Sequence, residues 1–242
     1  LRTHPEPIKI GGIMNQRLQT YGLSSEALVV RNRVLRNTYW LLALSMIPTI
    51  LGAWLGVQIK FAFFPGSPFI GLMMFLGIAF GFFYAIEKTK NSGAGVAILL
   101  GFTFFMGLML SRLVEHTLHF SNGASLIMTA FGGTATIFAG MATIATASKR
   151  DFSGLGKWLF AGMLVILVAA LANAFLHLPA LYLVVSVLAI VIFSAYILFD
   201  VQQIINGGET NYISATLSIY LDIYNIFSNL LALLGIFGGE RD

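Results

Sequence analysis

Long runs without a charged side chain alternate with short polar breaks along most of the chain, and their lengths set the first expectation. A helix that crosses a bilayer needs about 20 mostly apolar residues, because each residue advances about 1.5 Å through about 30 Å of hydrocarbon. Charge-free runs over 37–59, 61–86 and 94–111 reach or approach that length, and a fourth crossing lies within 120–148. Residues 158–199 contain no Asp, Glu, Lys or Arg. That is about twice the length of one crossing, and Pro179 sits near the middle, where its ring opposes helix continuation, so two crossings are expected there. His177, beside this proline, reads as a turn residue. The last run, 212–237, is interrupted by Asp222 but is still long enough to cross. The pattern predicts an all-α polytopic membrane protein with seven transmembrane helices.

Composition agrees with the pattern. Apolar side chains make up 57% of the 242 residues and charged ones 10%, against roughly a quarter charged in ordinary soluble domains. Eight of the charged residues fall in the first 37 positions, which leaves too few elsewhere for a large extramembrane domain. The absence of cysteine excludes disulfides, thiolate nucleophiles and cysteine-ligated zinc or iron–sulfur centres. No cofactor is expected, and the small positive net charge of +4, spread over flanks and loops, argues against a nucleic-acid partner.

Lysine and arginine are enriched on cytoplasmic flanks. With the N-terminus inside, the cytoplasmic side holds eleven basic residues, including Lys88, Lys90, Lys149, Arg150 and Lys157, against Lys60, Arg112 and Arg241 on the other side. The expected division is a basic cytoplasmic tail at 1–37, a seven-helix domain at 38–238 and a C-terminal tail outside at 239–242. The first 37 residues lack the apolar core of a signal peptide. Because the chain begins with Leu, Met14 offers an internal start and residues 1–13 an upstream extension or an expression remnant.

Small residues at three- and four-residue spacing (Gly132, Thr136, Ala139, Gly140, Thr143 and Ala147 in the fourth span, Gly52/Gly56 in the first, Gly77/Gly81 in the second) predict faces where another helix comes close. The pairs Gly132-Gly133 and Gly207-Gly208 follow no strand, so phosphate loops are not expected.

The seventh span is unusual. Asn211, Ser214, Ser218, Asp222, Asn225 and Asn229 are spaced to share one helical face. Such a face avoids lipid, which puts the last helix at the centre of the bundle. Hydrogen bonds between helices account for the Asn and Ser members. A carboxylate at mid-span costs about 2.5–3.5 kcal/mol even on the lenient insertion scale, and such residues are usually paired and functional. The expected partner is Asp200, about 9 Å before the turn around Asn206, Gly207 and Gly208, with Asp222 about 13–21 Å after it. Two carboxylates in low dielectric resist being ionised together and titrate as a coupled pair. Deprotonated, they offer hard oxygen ligands suited to Ca²⁺, so proton and cation would compete for one site.

Tyr196-Ile197-Leu198-Phe199-Asp200 with Gln203-Ile204, and Leu217-Ser218-Ile219-Tyr220-Leu221-Asp222 with Asn225-Ile226-Phe227, resemble the last two helices of the Bax inhibitor (TMBIM-type) family. Phe131-Gly132-Gly133-Thr134 and Lys149-Arg150-Asp151-Phe152-Ser153 fit the same family. Val34-Leu35-Arg36-Asn37-Thr38-Tyr39 and Gly207-Gly208-Glu209-Thr210-Asn211-Tyr212 resemble its bacterial YccA branch, and the likeness runs over residues 34–238. The resemblance implies a seven-helix bundle with a central last helix in the bacterial inner membrane, and a pH-sensitive Ca²⁺ leak controlled by an aspartate pair at Asp200 and Asp222. It also implies a basic latch on the pair. Bacterial members carry an arginine in the second helix for this, whereas here Lys88 and Lys90 are the nearest basic residues, without a guanidinium fork. The YccA branch further implies an interaction with the membrane-bound protease FtsH through the cytoplasmic tail.

Two functions follow as expectations: an ion leak gated by Asp200/Asp222, or a modulator that restrains the protease without transport. An enzyme is not expected. An intramembrane aspartyl protease also needs two membrane aspartates, but its Gly-x-Gly-Asp signature is absent, Asp222 being preceded by Ile219, Tyr220 and Leu221. His116 and His119 with Glu115 form an incomplete metal set, better suited to the membrane interface.

Overall fold

The computed structural model describes residues 10–61, 68–148 and 150–240, with side chains from Val29 onward except Pro68. Arg2, Lys9, Lys149 and Arg241 lie outside the described residues, as does the side chain of Arg17. Seven helices long and apolar enough to span a membrane make up the described chain: α1 (Ile10–Gln58), α2 (Pro68–Thr89), α3 (Gly93–Leu118), α4 (Gly123–Ala147), α5 (Gly156–Leu176), α6 (Pro179–Asn206) and α7 (Tyr212–Gly238).

Most of the helices outrun the charge-free stretches, α1 by the most. α1 has 49 residues, about 73 Å at 1.5 Å each, and its apolar spanning part is Val29–Gln58. Charge ends a lipid-facing stretch, not a helix, so α1 runs on through Arg31, Arg33 and Arg36. α3 likewise passes Arg112, Glu115 and His116 before ending at Leu118, where long polar side chains can reach the interface. The break at Pro179 is real. His177 caps α5 in the left-handed conformation (φ 52°), Leu178 N–H donates to Asn173 Oδ1 at 2.9 Å, and Pro179 begins α6 where no intrahelical N–H is needed.

α7 is the central helix: it packs against α1, α2, α3, α4 and α6, while α5 lies at the edge against α6. The main core is built where α3, α6 and α7 meet, with Leu99, Phe102, Ile197, Val201, Ile213, Ile219, Tyr220 and Ile226 almost wholly buried.

Of the predicted close-packing faces, one is used. α1 and α3 cross at backbone contact: a Cβ at Gly52 would overlap the Phe104 carbonyl, and one at Gly107 the Thr49 carbonyl. At Gly77, Gly81, Gly132 and Gly140 a Cβ would meet nothing within 4 Å. The small faces of α2 and α4 therefore point away from the bundle. α4 buries the alternate face of Leu126, Ala130 and Thr134, with Leu126 and Ala130 in a cluster with Val114 of α3 and Leu231 of α7.

Candidate functional site

The α6–α7 turn determines how the two aspartates meet. α6 ends six residues past Asp200, at Asn206. Gly207 then takes a left-handed conformation (φ 78°) that a side chain would strain, and Gly208 N–H closes the helix end on Gln203 O at 2.8 Å. Arg31 of α1 packs its guanidinium over this turn, beside Gly207, where a cation complements the carbonyl end of α6. Asn211 starts α7 as its N-cap, accepting from Ile213 N–H at 2.9 Å and Ser214 N–H at 3.2 Å. Its amide also donates to Lys90 O (3.0 Å) and Asn91 Oδ1 (2.9 Å), tying the α2–α3 turn to the α6–α7 turn.

Antiparallel return from this turn brings Asp200 and Asp222 side by side, their carboxyls within hydrogen-bonding reach. Asp222 is 4% exposed, and its Oδ2 finds no hydrogen-bond partner among the described residues. Asp200 is half-buried. Tyr196, one helical turn before Asp200, interacts electrostatically with both carboxyls, and Glu209 of the turn with Asp200. Sequence reasoning missed Tyr196, although its i−4 position relative to Asp200 was the available signal.

Rigid neighbours hold the pair. Two residues after Asp200, the buried Gln202 accepts from Phe152 N–H and donates to Arg150 O at 2.7 Å, fastening the α4–α5 connection onto α6. Two residues before Asp222, Tyr220 Oη and Thr49 Oγ1 share a hydrogen bond of 2.9 Å, and Thr49 also donates to Thr103 O at 3.2 Å. This buried knot joins α1, α3 and α7 beside the α1–α3 crossing.

The rest of the predicted stripe is dispersed. Ser218 is exposed, and Ser214, Asn225 and Asn229 are half-buried. The amides of Asn225 and Asn229 donate to Leu221 O and Asn225 O, within their own helix. Asn211 is a cap and a bridge between turns. The structure does not set Lys88 or Lys90 against the pair: Lys88 lies over the Tyr84 ring at 5.6 Å, and Lys90 binds Glu87 at 2.5 Å. Lys88 lies in the last turn of α2 and Lys90 just past its end, and α2 has a much smaller contact with α7 than α6 does. His119 Nδ1 contacts Glu115 O at 2.7 Å while His116 lies edge-on to Phe120, so the two imidazoles serve separate local contacts. Among the described residues no three His, Asp or Glu side chains converge. Two carboxyls fall short of the six to eight oxygens that enclose Ca²⁺; they suit a cation that keeps part of its water.

The fold and the site define a multi-pass membrane protein of seven helices, wrapped around a last helix that carries a buried acid. Residues 31–239 match the family described as "Inhibitor of apoptosis-promoting Bax1", and the chain belongs to this Bax inhibitor family. It is 38% identical over 209 residues to the Escherichia coli protein named "Modulator of FtsH protease YccA", covering 86% of this chain and 92% of that one. It is 37% identical to a Vibrio cholerae membrane protein, over 92% of this chain and 98% of that one. A Neisseria meningitidis protein is 38% identical over 88% of this chain and 94% of its own length.

Proposed function

We propose that the protein is a pH-sensitive Ca²⁺ leak of the bacterial inner membrane, with the Asp200/Asp222 pair as the element that protons and cation compete for. The observation that carries this is the burial of Asp222 against Asp200 with one carboxyl oxygen left without a donor. A buried acceptor of that kind is costly unless something occupies it, and both a proton and a partly hydrated cation would relieve that cost. The basic end of the bundle, with the α2–α3, α4–α5 and α6–α7 connections, is cytoplasmic by the excess of lysine and arginine there. Asp222→Asn in proteoliposomes is expected to change Ca²⁺ flux and flatten its response to pH. Flux and pH response equal to wild type would remove the pair from the mechanism.

A second reading is favoured by a specific observation, the name of the Escherichia coli relative. On this reading the chain binds and restrains an FtsH-type protease, and the cytoplasmic stretch of α1 ahead of the apolar span is the contact. Removing residues 1–28 should then abolish co-purification with the protease while the bundle still folds. Undiminished binding would sink this reading. The two readings are compatible, since one uses the membrane core and the other the cytoplasmic arm.

A further inference from the structure

At the end of the bundle opposite the basic connections, α7 is fastened to the α3–α4 turn. Asn122 of that turn donates to Gly238 O at 2.6 Å and accepts from Glu240 N–H at 3.2 Å, and Ser121 N–H donates to Glu240 O at 3.1 Å. Among the described residues no such tie reaches α6, and α3 and α6 do not touch along their length. The gap between them holds a cavity of about 640 Å³, with His116 and Thr117 of α3 on one wall, Tyr182 of α6 on the other, and the end of α7 from Leu231 to Gly239 as the floor. The floor continues inward. Positions 222, 225, 229, 232, 236 and 239 are 3, 4, 3, 4 and 3 residues apart, which is one side of a helix. Asp222 therefore lies on the face that carries Ala232 and Gly239 of the cavity, about 15 Å deeper than Ala232. Asn229 and Asn225 occupy the stretch between, both half-buried. Their amide nitrogens donate to backbone carbonyls of α7, and their Oδ1 atoms accept from nothing among the described residues. Polar groups at this depth are not left to lipid; they face protein or a water-filled cavity.

We propose that this cavity is the outer mouth of the path by which a cation reaches Asp200 and Asp222, with water along the Asn229 and Asn225 face joining it to the pair. This rests on the cation reading above. Three observations converge on it. The cavity lies close to the helix ends: His116 is two residues before α3 stops at Leu118, and Tyr182 three after α6 starts at Pro179, so it opens at the membrane interface. Its size admits a cation that keeps six to eight waters, about 180–240 Å³ at about 30 Å³ each. Its floor leads, on one helical face, to the carboxyl oxygen of Asp222 that has no partner, on a residue only 4% exposed. Neutral oxygen dipoles such as those of Asn229 and Asn225 suit the stretch between, because they stand in for hydration water while binding weakly enough to let an ion leave.

The chain has no cysteine, so a single-cysteine variant carries one thiol and reports on one position. The test adds a membrane-impermeant trimethylammonium methanethiosulfonate to the outside of right-side-out membrane vesicles that contain Gly235→Cys, Asn229→Cys or Ile226→Cys. At Gly235 a Cβ meets only the Phe120 ring, at 3.6 Å, and Ala232→Cys provides a second floor variant should that one fail to fold. The Gly235→Cys and Asn229→Cys thiols are expected to react at least about tenfold faster than that of Ile226→Cys, which is wholly buried at the depth of the two asparagines. The attached positive charge should then lower Ca²⁺ flux through Gly235→Cys about tenfold, the lower end of the range by which charge at a mouth changes the local concentration of an ion. Ile226→Cys should keep its own unmodified rate. Floor thiols that react no faster than Ile226→Cys, or react only in inverted vesicles, overturn the proposal, as does undiminished flux after complete modification. Absence of Ca²⁺ flux in the unmodified wild type is a separate result: it overturns the leak reading itself, and the mouth with it, whichever thiols react.

Discussion

Replacing Asp222 by Asn keeps the shape of the side chain, removes its charge and gives it a donor facing Asp200. Two full charges at about 4 Å repel by about 4 kcal/mol at an effective dielectric of 20. That corresponds to about a thousandfold in any equilibrium that relieves the repulsion, at 1.36 kcal/mol per tenfold. On the proposed reading a bound cation or a proton provides that relief in the wild-type protein, and because the two compete, Ca²⁺ binding should strengthen as pH rises. In Asp222→Asn half of the charge is gone and nothing remains to be relieved. Ca²⁺ affinity should fall by up to about a thousandfold, and the remaining binding should vary less with pH. The new amide can donate to the Asp200 carboxylate, and hydrogen bonds to charged groups contribute about 1.5–3 kcal/mol, so without Ca²⁺ the variant should be at least as stable as wild type. The assay is the Ca²⁺-dependent shift in thermal unfolding of detergent-solubilised protein, measured across a pH series. A variant with the wild-type Ca²⁺ shift and the wild-type pH dependence would refute the reasoning, because the charge would then have no ligand to hold.

Two glycine substitutions of the same chemistry should have opposite effects. Gly107→Ala drives a Cβ into the Thr49 carbonyl and should destabilise by about 1–3 kcal/mol through overpacking at the α1–α3 crossing. Gly77→Ala meets open space and should gain up to about 1 kcal/mol of helix propensity. Thermal unfolding followed by helical circular dichroism distinguishes them, and shifts of the same sign would contradict the close crossing. Asn211→Ala removes both the α7 cap and the bridge to Lys90 and Asn91 and should cost about 1–2 kcal/mol. Asn211→Ser keeps the cap alone and should recover part of that loss, while no difference between the two would assign the whole effect to the bridge.

Hydropathy along the chain located the crossings because depth in a bilayer is a one-dimensional property: each residue contributes its own transfer energy, and runs near 20 residues stand out. The turn at Pro179 was legible for a similar local reason, since a proline ring conflicts with its own preceding turn. The spacing of Asp200 and Asp222 about Gly207 and Gly208 was legible too, because two antiparallel helices and a short turn leave little freedom in depth. Helix ends were less legible. The sequence shows where charge begins, and α1 and α3 continue as helices well beyond that point.

Rotation and choice of neighbour were not written in the same way. Gly52 and Gly77 carry the same small-residue signal, yet Gly52 meets α3 at backbone contact and Gly77 meets open space. Ser218 and Asp222 share one face of α7 by spacing, but one is exposed and the other buried. Tyr220, Thr49 and Thr103 are far apart in the chain, and only the packing of three helices makes them a knot. The sequence by itself determined how many times the chain crosses, where it turns, and that an acid sits inside the last helix. The tertiary structure alone decided which side chains face that acid and which small-residue faces meet another helix, because those depend on how several helices interlock at once, and no single helix encodes its neighbours' surfaces.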